Sequence, residues 1–258
     1  MPQPSADVTK TLQSAYDDLY TDEMTEWREL GGRLKAQRIV EVCRGLTFDT
    51  VLECGAGEGS ILQFLGESGL SSSLCAIEIS DSAIAQIHKR DIPKLREVKK
   101  FDGYSIPYPD KAFDMAYCSH VLEHVEHPRI LLRELKRVSN LQVFEVPLDY
   151  SIGVDRNVEH FLSYGHINVY TPSLFRFLLK SEGFEIVSEL LTEDKKEWVR
   201  YSWYNNMQLK RTFRRELQLQ RHFLRKLIGK GLHAERYAEF GHIAYTCLAR
   251  DVGNLRVF

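Results

Sequence analysis

Short apolar runs alternate with stretches of helical periodicity along most of this 258-residue chain. The runs predict strands at residues 50–54, 74–79, 98–102, 113–118, 141–146, 185–191 and 244–250. Between them, apolar residues recurring every three or four positions predict helices at 33–44, 60–67, 82–89, 129–138 and 173–181. Strands separated by single helices imply right-handed crossovers and a mostly parallel sheet covered on both faces. The expected fold class is α/β: a doubly wound, mostly parallel sheet of seven strands with helices on both faces.

Two segments leave that rhythm. Residues 1–45 read as a helical cover, with Tyr16, Tyr20, Trp27 and Leu30 near one apolar face and a break at Gly31-Gly32. Residues 192–240 read as an insertion before the final strand. From Lys195 to Phe240 there are 12 Lys and Arg against 4 acids, so this piece carries +8 within a chain of net charge −2. Leu209, Phe213, Leu217, Leu224 and Ile228 fit helical spacing and predict a basic amphipathic helix. A connection between a parallel sixth and an antiparallel seventh strand leaves from the carboxyl edge of the sheet. The insertion is therefore expected to overhang that edge as a lid. The chain as a whole is expected to be a single domain, its core formed by 46–191 and 241–258.

Composition changes this picture little. A 43% hydrophobic content suffices for a sizeable core, and the net charge singles out neither nucleic acid nor membrane. No apolar run approaches the roughly 18 residues that span a bilayer, and MPQPSADVTK lacks a signal-peptide core. The five cysteines are odd in number, and four fall in predicted strands as small hydrophobes. A cytoplasmic location is expected.

The most informative stretch is VLECGAGEG, residues 51–59. An apolar run ends in an acid and opens into Gly55, Gly57 and Gly59 before a helix, so backbone can approach a bulky ligand with no Cβ in the way. At the carboxyl end of a first parallel strand, such a turn is where open α/β sheets hold adenosine-containing cofactors. Glu78 ends the second predicted strand, where a carboxylate can accept both ribose hydroxyls; a solvated strand-end acid is the plainer alternative. Asp102 ends the third and can accept from an exocyclic adenine amine, and Gly103 allows backbone approach to the ring. Dinucleotide enzymes share the ribose acid, but their G-x-G-x-x-G/A fingerprint wants a third small residue where this chain has Ser60.

With FDGYSIPYPDKAFDMAYCSHVLEHVEHP, residues 101–128, the chain resembles the class I S-adenosylmethionine-dependent methyltransferases, of the group that includes the ubiquinone-biosynthesis type and many small-molecule methylating enzymes. The similarity runs from Val51 to Pro147, with a weaker echo in HINVYTPSLFRFLLKSEGFEIV. It implies a Rossmann-like, seven-stranded mixed sheet, six strands parallel and an antiparallel last strand between the fifth and sixth, with S-adenosylmethionine as cofactor and S-adenosylhomocysteine as product. By that resemblance Glu53 and the turn Gly55, Ala56, Gly57 and Gly59 hold the methionine part. Glu78 takes the ribose, Ile79 packs on adenine, Asp102 and Gly103 meet its edge, and Ser119 and His120 lie beside the sulfonium. Two features depart from the family: Glu where Asp is commoner at position 53, and an insertion far longer than the usual hairpin before the last strand.

A methyl sulfonium is already an activated electrophile, so alignment and exclusion of water suffice, with no metal or covalent nucleophile. A general base helps a hydroxyl acceptor. His160 is the first candidate; His120 is either a base or a cofactor contact, and His124 either a base or a loop-orienting residue. Asp149, Tyr150, Glu159, Tyr164 and His166 reach the same edge, with His166 expected to hold the following loop. No H-E-x-x-H and no close histidine pair on one helix is present, so no metal is expected. The [D/N]-P-P-[Y/F] motif of base and glutamine methylation is missing, which disfavours a planar exocyclic nitrogen and leaves hydroxyl, carboxyl, aliphatic amine or carbon; the available bases favour oxygen in a small acceptor, a sugar or natural-product intermediate among the options. The basic insertion is a solvated helix whose apolar face covers the core, a lid for an anionic acceptor, or a contact for RNA or an acidic partner. Trp198, Tyr201, Trp203 and Tyr204 form a stacking floor or an anchor. The rivals are aminopropyl transfer, a cofactor-binding or RNA-binding regulator without turnover, and a dehydrogenase.

Overall fold

The computed structural model describes residues 25–150, 154, 158–163, 165–206 and 208–253. Seven strands form one sheet: β1 Phe48–Cys54, β2 Ser71–Glu78, β3 Leu95–Lys100, β4 Phe113–Ser119, β5 Ser139–Pro147, β6 Phe184–Thr192 and β7 Ala244–Asp251. Their order is β3-β2-β1-β4-β5-β7-β6. β1, β2, β3, β4 and β5 pair in parallel, and β7 runs antiparallel to both neighbours, β5 and β6. The strand order reverses beside β1, so β1 and β4 open a crevice at their carboxyl ends, where such sheets hold ligands.

Helices cover both faces. Val51 packs with Ile39 of α1 (Thr25–Val42), Leu62 of α2 (Ser60–Ser68) and Ile87 of α3 (Asp81–Lys89). The next residue, Leu52, points to the opposite face. There it joins a core with Leu131 and Leu135 of α4 (Pro128–Val138) and Phe175 of α6 (Pro172–Ser181). That alternation is the period-2 signal of the strand realised as two separate cores. Caps set the helix starts: Ser80 accepts from the Ala83 N–H at 3.2 Å, and Thr171 from Leu174 at 3.2 Å with Pro172 next. A short helix, α5 (Val158–Ser163), lies between β5 and α6.

Three expectations need correction. The first helix does not break at Gly31-Gly32 but continues from Thr25 to Val42. A Cβ at Gly32 would come within 2.6 Å of Ser60 Cβ, so glycine there lets α1 sit against the start of α2. Tyr16 and Tyr20, and the side chain of Trp27, lie outside the described residues. The third strand ends at Lys100, two residues earlier than predicted, which leaves Asp102 in a turn.

The insertion holds α7 (Lys196–Tyr201), a π-helical turn (Ser202–Asn206), α8 (Phe213–Leu232) and α9 (Ala234–Phe240). Its basic helix is present, but its apolar stripe does not cover the core: Phe213 is 83% exposed and Leu217, Leu224 and Ile228 are exposed as well. The opposite side attaches it, through buried Leu219 and through acids just beyond β6. Asp194 pairs with Lys226 and, at 3.2 Å, with His222; Glu193 meets Lys230 at 2.7 Å. No helix among the described residues is long and apolar enough to cross a membrane.

Candidate functional site

A cavity of about 490 Å³ opens at the carboxyl ends of β1 and β4, within the roughly 300–1,000 Å³ of small-molecule sites. Its floor is Glu53, Gly55, Ala56, Gly57, Ser119 and His120; α1 supplies Arg28, Lys35 and Arg38 from one side, and Thr192, Glu193 and Lys195 approach from the base of the insertion. Gly59, Glu78, Ile79, Asp102 and Gly103 are not among its lining residues.

The turn that forms the floor is held in a conformation side chains resist. Gly55 has φ +75° and Gly57 φ +54°, and a Cβ at Gly55 would meet Val121 Cγ2 at 2.4 Å. Glu78 is 5% exposed and braces the turn: Oε2 accepts from Gly57 N–H at 2.7 Å, and Oε1 from Ile79 at 2.7 Å and Ser80 at 3.0 Å. Glu58, also buried, joins the loop to α1 and α3 through Arg28 at 3.0 Å and Arg90 at 2.9 Å.

Glu53 is 1% exposed, and its Oε2 has no hydrogen-bond partner. Burial pushes its carboxyl well above the usual range, against the opposing effect of Tyr117 and Lys35. An acid in that state keeps its proton until a cation enters the cavity to offset the burial, and then ionises. Ser119, 7% exposed, likewise has an unpartnered Oγ.

Beside it runs a network centred on Glu145 of β5, which is fully buried. Arg38 reaches it with two bonds, Nε to Oε2 at 2.9 Å and Nη2 to Oε1 at 2.6 Å, and Thr246 Oγ1 donates to Oε2 at 2.9 Å. His120 Nε2 lies 3.1 Å from Oε1, and its backbone N–H donates to Glu145 O at 2.9 Å. Burial alone would raise the Glu145 carboxyl, but Arg38 and His120 hold it well below the usual range. His120 takes φ +55°, a left-handed conformation uncommon for a residue with a side chain and fixed here by that pair of bonds. Burial lowers the Lys35 ammonium, more than Glu145 and Glu123 raise it.

The segment following β4 folds under residues 165–170. Asn168 Nδ2 donates to Leu122 O at 3.1 Å and Val125 O at 2.7 Å, and the N–H groups of Ile167 and Asn168 both donate to Glu123 O at 2.9 Å. His124 Nδ1 meets Gly165 O at 3.0 Å, so His124 ties two loops together. His166 Nδ1 meets Asp149 Oδ2 at 2.5 Å and so anchors the segment after β5. Burial outweighs Glu123 and lowers the His124 imidazole; burial also opposes the charge on His166, but Asp149 raises it overall. The backbone of His160 lies in α5, and its side chain falls outside the described residues, as do Tyr164 and the side chain of Trp198.

Among the described candidates, His120 alone of the three histidines put forward for catalysis lines the cavity. Asp102 is exposed and its Oδ1 accepts from Tyr104 N–H at 2.9 Å and Ser105 N–H at 2.6 Å, closing its own turn. The cationic wall of α1 was not anticipated. Its one sequence signal was Glu145, an acid inside the apolar run of a central strand, which demands a buried basic partner from elsewhere.

A mostly parallel sheet with a switch point at β1, a glycine turn below a cavity and acids behind it have the architecture of Rossmann-like enzymes that hold nucleoside cofactors. The methyltransferase-domain family model matches residues 20–189, and the chain belongs to that family of S-adenosylmethionine-dependent enzymes. Over 108 residues it is 27% identical to YrhH of Bacillus subtilis, which is assigned as a methyltransferase. That match covers 41% of this chain and 60% of YrhH; an uncharacterized methyltransferase of Schizosaccharomyces pombe, 28% identical over 100 residues, is covered to 36%. In solved structures, a chain of the Haloferax volcanii complex between the Trm112 methyltransferase activator and a methyltransferase superposes with TM-score 0.65 at 14% identity. It covers 92% of this chain and 97% of its own. A methyltransferase from Archaeoglobus fulgidus gives 0.58 at 20% identity, covering 88% and 97%.

Proposed function

We propose that the protein transfers a methyl group from S-adenosylmethionine to the oxygen of a small, anionic acceptor. The observation that carries the reading is the pairing of an orphaned, buried Glu53 carboxylate with the glycine turn on one cavity floor. The cofactor carries an α-ammonium group, which suits that carboxylate, and a carboxylate, which suits Lys35 or Arg28 on the opposite wall. The Gly55–Gly57 backbone leaves room for its bulk, and Ser119 and His120 stand at the next strand tip. When bound, the cofactor supplies an activated methyl on a positively charged sulfur.

The remaining work falls to this chain's own groups. Arg38, Thr246 and Glu145 fix the His120 ring beside the cavity, so a proton released by an acceptor hydroxyl has a positioned imidazole nearby. His160, on a segment at the same sheet edge, is the alternative base. Lys35 and Lys195 line the cavity beside Arg28 and Arg38, which already serve Glu58 and Glu145, and these two lysines support an anionic acceptor. The insertion from 192 to 240 acts as the lid, with Glu193 and Asp194 as its hinge-side anchors. Glu78, which is not among the cavity-lining residues, serves the cofactor by bracing Gly57 of the turn.

Labelled cofactor incubated with fractionated metabolite extract tests this. Label in an acidic small molecule that hot hydriodic acid releases as labelled methyl iodide, as it does from an O-methyl group, with stoichiometric S-adenosylhomocysteine, supports the reading. Labelled macromolecule only, or bound cofactor with no turnover in any fraction, rejects it.

A further inference from the structure

The basic helix α8 carries more than its attachment to the core uses. Its outer face holds Phe213, Leu217, Leu224, Leu227 and Ile228, all exposed, with Phe213 at 83% and Leu227 at 68%. At about 100° of turn per residue these five fall within about 100° of arc, one apolar stripe along a helix about 30 Å long. Buried Leu219 is turned away from that stripe and fastens the helix down. Contiguous apolar surface of this extent, left facing water, marks a contact with something else.

Charge narrows what that is. The helix has six Lys and Arg against one acid. The acid, Glu216, is engaged by Arg200 at 2.8 Å and Arg211 at 3.3 Å, while Lys226 and Lys230 are engaged by Asp194 and Glu193. Arg214, Arg221 and Arg225 are exposed and pair with no acid among the described residues. By the helical turn they occupy the strip of surface next to the apolar stripe. At the amino end of the helix Lys210, Arg214 and Arg215 line one depression with no acid on its walls. A second copy of this face is repelled by the same charges. RNA takes up the arginines but leaves five apolar side chains without a partner. Stripe and arginine row run side by side for the length of the helix, which matches a flat boundary between phosphates and acyl chains.

We propose that α8 lies flat in the headgroup region of an anionic phospholipid surface. Its apolar stripe enters the acyl boundary, and Arg214, Arg221 and Arg225 reach the phosphates on their long stems. The contact belongs to the insertion in which this chain departs from the usual hairpin of its family, and it does not rest on the methyl-transfer reading. Glu193, which lines the cavity, pairs with Lys230 of α8 at 2.7 Å, so a docked helix sets the cavity beside the lipid surface.

Co-sedimentation of the full chain with vesicles tests this, pure phosphatidylcholine against a mixture of phosphatidylcholine and phosphatidylglycerol. Binding to the mixed vesicles only, weakened by added salt, is expected. Arg221→Gln combined with Arg225→Gln weakens it about 25-fold, at about fivefold per cation beside an anionic surface. Leu224→Ser combined with Leu227→Ser weakens it by at least about tenfold, as two apolar side chains are withdrawn from the acyl boundary. All four side chains are exposed, so the unfolding midpoints of both double variants stay at the wild-type value. Equal binding to the two kinds of vesicle, or binding lost in the arginine pair but kept in the leucine pair, overturns the proposal. Tight binding to polyuridylate or polyglutamate with no sedimentation on vesicles also overturns it, and reassigns the face to RNA or to an acidic protein.

Discussion

Replacing Glu78 with alanine tests the floor of the cavity at its brace. The carboxylate accepts three backbone N–H bonds, from Gly57, Ile79 and Ser80, at 2.7, 2.7 and 3.0 Å, and is 5% exposed. Each donor left unsatisfied in a buried setting costs about 1–3 kcal/mol. Water can enter the space the side chain vacates, so the low end applies and the expected loss is about 3 kcal/mol in total. Freed of Oε2, the Gly57 peptide no longer presents a fixed surface, and cofactor affinity falls at least tenfold, equivalent to about 1.4 kcal/mol. Urea unfolding followed by circular dichroism gives the first quantity, and calorimetric titration with S-adenosylmethionine gives the second. A midpoint shift worth under about 0.5 kcal/mol, the range of ordinary surface substitutions, would refute the bracing argument. An unchanged dissociation constant beside a real stability loss would show that the turn keeps its shape without Glu78.

Gly55→Ala imposes φ +75° on a side chain and drives its Cβ to 2.4 Å from Val121 Cγ2, so it should destabilise by about 1–3 kcal/mol. Adding Val121→Ala should recover the steric part only, measured by the same unfolding assay. Arg38→Ala strands the buried Glu145 and should cost about 3–5 kcal/mol, with Arg38→Lys intermediate; equal losses for the two variants would mean packing, not charge, is at stake. Glu182 is buried beneath Arg129 and Arg133 at 2.5 and 2.7 Å; burial opposes its charge, but the two arginines outweigh that and hold its carboxyl below the usual 4.5. Its contribution to stability is therefore full above about pH 4.5 and disappears as pH falls through the lower folded value. In Glu182→Gln, the stability difference from wild type should shrink on acidification; a difference that widens contradicts the assignment.

The sheet was legible because burial on two faces leaves a period-2 record: all seven strands lie within a few residues of their apolar runs. Glycines at 55, 57 and 59 announced the turn through a backbone need that sequence expresses directly. The failures concern what an element packs against. Gly31 and Gly32 read as a break, yet Gly32 is small for the sake of Ser60, a contact no local pattern reveals. The basic helix was recognisable, but its ion pairs with Glu193 and Asp194 turn the apolar stripe outward instead of onto the core. Asp102 satisfies its own turn, a local competition that a strand-end position does not disclose. The α1 wall of Arg28, Lys35 and Arg38 faces its partners across the fold, so its role was invisible along the chain.

The central claim is that the cavity above Glu53 receives the positively charged cofactor. Calorimetric titration of the full chain with S-adenosylmethionine, repeated on Glu53→Gln, measures it directly. The account predicts one site per chain and an affinity weakened at least tenfold in the variant, while S-adenosylmethionine outcompetes a nicotinamide dinucleotide. Equal affinity in both proteins, or saturable binding of the dinucleotide alone, contradicts it.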